Sequence, residues 1–139
     1  MCGLAGFFRL GQQSPTLATI KKLWLAQSGR GKDAAGLAYI DSERTTRYLK
    51  DKGSVEQLVD RVSKETWTGL LASKMAAFHT RQRTQGHESD PLNNHPIISQ
   101  GWMVTHNGMI SNDDDLWEKL GKDRPGAVDS SAINLVLSQ

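Results

Sequence analysis

An apolar run opens this chain almost at its first residue: Gly3-Leu4-Ala5-Gly6-Phe7-Phe8, closed by Arg9. Two phenylalanines among small apolar neighbours read as a buried strand over Gly3 to Arg9. A strand must pair its backbone N–H and C=O groups with a neighbour, so the chain start is expected inside the fold. Whatever occupies position 2 is then carried to a fixed place. That residue is Cys2, the single cysteine of the chain. One cysteine closes no internal disulfide and builds no thiolate metal cluster, which suits a reducing compartment.

With 139 residues the chain is expected to form one domain, residues 1–139. Hydrophobic residues make up 37%, with 13 glycines besides, a share that favours a packed core over disorder. The 17 Lys+Arg against 15 Asp+Glu give a net charge of only +2, evenly scattered, so no basic footprint for nucleic acid is expected. Apolar stretches such as Met75 to Phe78 fall far short of the ~20 residues that span a bilayer, so no membrane partner is expected either. The first residues lack the charged and apolar regions of a secretory signal, which points to a cytoplasmic location.

Periodicity divides the chain into mixed elements. Leu17, Ile20, Leu23 and Trp24 repeat at helical spacing after Ser14-Pro15, predicting a helix over Pro15 to Gln27. Ala35 to Ile40 and Thr45 to Leu49 read as a hairpin turning through Asp41-Ser42-Glu43. Ser54 and Gln57 have the form of a capping box, opening a helix whose apolar face is Val55, Leu58, Val59 and Val62. Met75 to His79 and Trp102 to Thr105 read as strands that deliver polar loops. Asp113-Asp114-Asp115 place negative charge at the start of a helix through Leu116, Trp117 and Leu120, where the macrodipole favours it. Ala132 to Leu137 predicts a last helix.

Four places could carry chemistry. If an aminopeptidase removes Met1, Cys2 gains an α-amine with a pKa of ~7.7–8.0 beside a thiol of ~8.5, so base and nucleophile share one residue. The same cysteine also fits a small buried hydrophobe. In His79-Thr80-Arg81-Gln82-Arg83-Thr84-Gln85-Gly86, Arg81 offers a fork of donors suited to a carboxylate and Thr84 a hydroxyl; a solvated loop is the plainer reading. In Thr105-His106-Asn107-Gly108, the Asn107 amide and the Gly108 N–H could aim two donors at a developing oxyanion, or form a tight turn with glycine at positive φ. Asp129 could be a helix N-cap. His79, His87, His95 and His106 lack metal-ligand spacing, so neither a metal nor another cofactor is expected.

Taken together, the chain resembles the class II glutamine amidotransferases, whose glutaminase domain belongs to the N-terminal-nucleophile hydrolases. The resemblance rests on Met1-Cys2-Gly3-Leu4-Ala5-Gly6-Phe7, Arg30-Gly31-Lys32-Asp33-Ala34-Ala35-Gly36-Leu37-Ala38, and His79-Thr80-Arg81 with Thr84 and Gly86. It extends through Asn93-Asn94-His95-Pro96, His106-Asn107-Gly108 with Ile110 and Asn112, and Asp129-Ser130. The six motifs occur in the family's order, and the pattern from Arg30 to Gly86 is most similar to the glutaminase half of glucosamine-6-phosphate synthase.

The resemblance implies an α+β fold, a four-layer αββα sandwich, here with its C-terminal side shortened. It implies that Cys2 is the nucleophile, that Arg81 binds the α-carboxylate of L-glutamine and Asp129 its α-ammonium, that Thr84 lines the site, and that Asn107 and Gly108 form the oxyanion hole. A partner or further domain that accepts ammonia is implied too, and an oligomer is compatible with it. A non-catalytic glutamine-binding or assembly module is the competing expectation. Two departures stand out: Gln82 where the sugar-amidating relatives carry an aromatic, and Ser131 where an acidic residue is common. The family's domain usually continues past the point where this chain stops, so a fragment, a minimal enzyme or one component of an assembly are all expected forms. Uncovered sheet edges would then be open to a partner.

Overall fold

The computed structural model describes all 139 residues. In chain order the elements are β1 (Gly3–Phe8), α1 (Leu17–Leu25), β2 (Ala34–Ile40), β3 (Thr46–Lys52), α2 (Val55–Val59), α3 (Lys64–Ala72) and β4 (Met75–Arg81). A 3₁₀ turn (Pro91–Asn93), β5 (Ile97–Ser99), β6 (Trp102–Val104), α4 (Asp113–Leu120) and α5 (Ser131–Leu137) follow. The domain is α+β. No helix is long and apolar enough to cross a membrane.

The first strand is held as its composition requires. It pairs antiparallel with β4 from Gly3↔Thr80 to Phe8↔Met75, at one edge of a sheet ordered β1-β4-β2-β3. Side chains alternate across a strand, and that alternation sorts this sheet into two faces. Ala35, Leu37 and Tyr39 of β2 and Ala76 and Phe78 of β4 join Ile20 and Trp24 of α1, Val55 and Leu58 of α2, and Trp67 and Leu70 of α3 in one core cluster. His79 and Arg81, two residues apart on β4, therefore point to the opposite face, away from α1, α2 and α3. There the β5–β6 hairpin and helices α4 and α5 form a second, smaller group, with α5 packed on both hairpin strands.

Local chemistry moved several expected boundaries. The first helix begins at Leu17, not Pro15, because the Thr16 hydroxyl caps it by accepting from Thr19 N at 3.1 Å. The helix opened by the Ser54–Gln57 capping box stops at Val59, although Val62 is still buried. Ser63 then caps a further helix, α3, accepting from Thr66 N at 3.1 Å. Sequence reading missed α3, whose signal is a Ser cap followed by Trp67, Leu70 and Leu71 at helical spacing. It also missed β5, which pairs with β6 through Gln100 and Gly101, both at positive φ (52° and 80°). Two such residues make the mirror-image turn that suits hairpin twist, and Gly101 adopts it without a steric cost. By contrast, Gly108 is absent from the positive-φ residues, so the alternative of a glycine turn at Asn107-Gly108 does not hold.

Candidate active site

The β1–β4 register ends at Gly3↔Thr80, which leaves Cys2 just beyond the strand, at the end of the sheet where β4 finishes. The Cys2 Sγ lies 3.4 Å from Gln82 N and 3.5 Å from Gln82 O. Arg30 Nε donates to the Cys2 carbonyl at 3.3 Å. The backbone N–H of Cys2 donates to Asn107 Oδ1 at 3.0 Å. A backbone N–H can only donate, so the acceptor is the amide oxygen and the Asn107 NH₂ is turned away from Cys2 with its donors uncommitted to it. The chain start and the loop after β6 are thereby locked together.

That loop is braced from behind. The His106 carbonyl accepts from His79 Nε2 at 3.2 Å, and His106 Nδ1 lies 3.0 Å from Ser130 Oγ. The Ser130 hydroxyl has Asp129 Oδ1 at 3.3 Å; donating its one proton to that carboxylate leaves its lone pairs to accept from His106 Nδ1. Asp129 is 2% exposed. Its Oδ2 accepts from Ile110 N at 2.7 Å and its Oδ1 from Ser130 N at 2.8 Å. Asp129 and Ser130 thus hold residues on both sides of Asn107-Gly108.

Arg81 is also 2% exposed. Its Nη1 donates to Asn94 Oδ1 at 3.0 Å and its Nη2 to the carbonyls of Gly86 at 2.7 Å and Gln85. All three acceptors are neutral, and no carboxylate of the chain pairs with the guanidinium. Burial draws its pKa below the usual arginine value, while the neighbouring Cys2 thiol acts in the opposite sense. The group stays cationic regardless. Glu88 and Asp33 act on it only through space, so a buried cation whose hydrogen bonds all go to neutral groups is a setting in which an incoming carboxylate gains strongly.

The loop after β4 is shaped around this arginine. Asn94 Nδ2 donates to Glu88 O at 2.8 Å and Asn93 Nδ2 to His87 O at 3.0 Å. Asn93 Oδ1 accepts from Ala127 N at 2.7 Å and Val128 N at 3.2 Å, tying the loop to the segment that leads into Asp129. Asp33 adds a clamp from the β2 side: its N–H donates to Arg81 O at 3.0 Å and its Oδ2 accepts from Arg83 N at 2.7 Å. A Cβ on Gly31 would fall 2.4 Å from the Arg81 carbonyl carbon, so only glycine lets that turn pack on the strand end. Thr84 is exposed on the loop, its hydroxyl outside this network.

Behind Arg81 the His79 and His95 rings stack with centroids 4.3 Å apart. Burial pushes His79 down to about 4 and His95 well below the ordinary imidazole value. Both are neutral at pH 7, so the site floor adds no charge to that of Arg81.

Of the residues singled out in the sequence, the structure brings Cys2 and Asn107 into direct contact. It sets Arg81 beside the pair and ties Asp129 to the same loop through Ile110. Thr84 and Gly108 are both exposed on their loops. Asn94, His106 and Ser130 were not assigned roles from the sequence, though each lies inside a motif that carried the resemblance. Membership of those motifs was the available signal. The backbone of Gln82 as a bracket for sulfur gave none, because a main-chain contact is independent of residue type.

No protein-family model matches the chain. Curated relatives do. The chain is 35% identical over 116 residues to the glutamine–fructose-6-phosphate aminotransferase (isomerizing) of Photorhabdus laumondii, covering 84% of this chain and 18% of the relative. It is 34% identical over 112 residues to the enzyme of the same name from Vibrio cholerae, covering 81% and 17%. With that from Escherichia coli it shares 32% over 120 residues, covering 86% and 18%. The chain therefore spans less than a fifth of the length of the relatives it matches.

Proposed function

We propose that this chain, a homologue of the glutaminase domain of glucosamine-6-phosphate synthases and so of class II glutamine amidotransferase kind, hydrolyses the side-chain amide of L-glutamine. The observation that carries the reading is the Cys2 N to Asn107 Oδ1 bond. It joins the one atom that becomes an amine when Met1 is removed to the one side chain whose remaining donors suit an oxyanion.

In this reading Arg81 takes the α-carboxylate of glutamine and Asp129 its α-ammonium, with Thr84 on the rim of the site. Fixing the amino-acid end leaves the amide carbon over Sγ, and such ordering replaces much of the entropy a free encounter would lose. The Cys2 α-amine accepts the thiol proton, and the sulfur attacks the amide carbon. The Asn107 NH₂ and Gly108 N–H stabilise the oxyanion. The intermediate collapses as the ammonium form of Cys2 returns its proton to the leaving nitrogen, giving ammonia and a γ-glutamyl thioester. The α-amine then deprotonates water, which attacks the thioester, and glutamate leaves as the thiol regains its proton.

The fold reading follows the same line. The four-stranded sheet with α1, α2 and α3 is one half of an αββα sandwich, and the β5–β6 hairpin with α4 and α5 belongs to the other. Residues 1–139 act as one glutaminase unit in the cytosol. The ammonia passes to an acceptor on a synthase domain or subunit.

The test is glutamate and ammonia release by the purified protein, with mass spectrometry after treatment with a glutamine-like electrophile. A single adduct on Cys2, together with loss of Met1, is expected. Full activity in a Cys2→Ala variant would remove the reading. Calorimetric glutamine binding without ammonia release would select the binding-module alternative.

A further inference from the structure

At the opposite end of the same sheet, the chain forms a second polar concavity that the glutaminase reading does not use. Phe8 closes β1 against Met75 at the start of β4. A six-residue strand places that end roughly 20 Å from Cys2 at ~3.3 Å per residue. A cavity of about 580 Å³ opens there, within the ~300–1,000 Å³ typical of small-molecule sites. Phe8, Arg9, Asp41, Arg44, Lys74 and Met75 are among its lining residues.

The charge of this lining is unbalanced. Asp41 is its only acid, and its carboxylate is already spent: it accepts from Arg47 Nε at 2.7 Å, Thr45 N at 2.8 Å and Glu43 N at 3.0 Å. None of Arg9, Arg44 and Lys74 is paired with a carboxylate. Arg9 is tied down by neutral acceptors, its Nη2 on Ala72 O at 3.0 Å and its Nη1 on Ser14 Oγ, while its Nε is buried with no hydrogen-bond partner. Arg44 is held on the β2–β3 turn at a φ of 62°, its own N–H bonded to Asp41 O at 3.1 Å. Three cations from three separate segments thus meet one neutralised acid, beside a Phe8 ring that is 65% exposed and the Met75 thioether.

We propose that this cavity binds a small organic phosphomonoester, its phosphate among Arg9, Arg44 and Lys74 and its apolar body against Phe8 and Met75. A dianion with three acceptor oxygens suits three cationic donors, and the volume exceeds what a bare phosphate fills. An aromatic face and a thioether favour an apolar or ring-bearing body. The site is separate from Cys2 and stands whether or not the chain is a glutaminase.

Phenyl phosphate is the probe, titrated into the full 139-residue chain by calorimetry and followed by amide shifts in NMR. Saturable binding is expected, with shifts centred on the amides of Arg44, Ser73, Lys74 and Met75. The double variant R44Q/K74Q is expected to bind at least about tenfold more weakly while melting as the parent does, since neither side chain carries a structural bond. Cys2→Ala is expected to bind the probe unchanged, which separates this site from the glutamine site. Lack of saturation, shifts centred on the Cys2 end of the sheet, or unaltered affinity in R44Q/K74Q would overturn the proposal. Inorganic phosphate binding as tightly as phenyl phosphate would overturn the organic body. If the double variant were to misfold, the shift map of the parent protein decides.

Discussion

The backbone nitrogen of Cys2 lies 3.0 Å from the Asn107 side-chain oxygen, although 105 positions separate them in the chain. The contact orients the Asn107 amide: its oxygen anchors the chain start, and its NH₂ is left free of Cys2. Asn107→Ala is expected to lower kcat for glutamine hydrolysis by roughly 10²–10³, the usual cost of one oxyanion donor. KM should change little. Steady-state ammonia release measures both, and a variant that alters KM alone would place Asn107 outside the reacting centre.

Arg81 shares its guanidinium among Asn94, Gly86 and Gln85, and an ammonium cannot reproduce that fork. Arg81→Lys is expected to raise KM for glutamine at least about tenfold. It should also cost roughly 1–3 kcal/mol of stability through carbonyls left without donors. Thermal unfolding with and without saturating glutamine separates the two effects. An unchanged KM would show that the arginine serves only the loop.

Ser130 stands between Asp129 and His106 and touches no reacting atom in the proposed mechanism, so it is a positioning residue. Ser130→Ala is expected to reduce kcat about tenfold and to leave glutamine affinity near that of the parent. Ser130→Thr, which keeps the hydroxyl, should recover most of the loss. Equal kcat in the alanine and threonine variants would argue against positioning through the hydroxyl.

His79 has a folded-state pKa of about 4 against 6.5 for the free side chain, chiefly because burial disfavours its charged form. The unfolded chain therefore takes up the proton first as pH falls. Its contribution is intact above about pH 6.5 and is lost progressively down to about pH 4, amounting to on the order of 2 kcal/mol by pH 5. The stacked His95 shifts in the same direction. Melting temperature is expected to drop by several degrees between pH 7.5 and pH 5, and His79→Gln should flatten that dependence. A parent protein as stable at pH 5 as at pH 7.5 would contradict neutral buried histidines.

Where local chemistry alone decides structure, the sequence was legible. The apolar run of β1, the β2–β3 hairpin, the capping box at Ser54 and the acidic first turn of α4 follow from short-range preferences and appear where expected. The interruption after Val59 was not legible, because the apolar face continues through Val62 and only the Ser63 cap breaks the helix. The β5 strand was equally hidden, since three residues carry too little periodicity to announce a strand before its partner is known.

By itself the sequence determined that Cys2 immediately precedes a strand at the chain start, and that the motifs around Arg81, Asn107 and Asp129 occur in one order. Only the tertiary structure decided which of them meet. Antiparallel register sets Cys2 against the end of β4, and strand alternation turns His79 and Arg81 away from the helix-covered face. Asn93, His106 and Ser130 then bind segments more than twenty residues apart. Such partnerships depend on distances across the fold, which residue order does not encode locally; the burial that makes Arg81 and His79 unusual arises from the same packing.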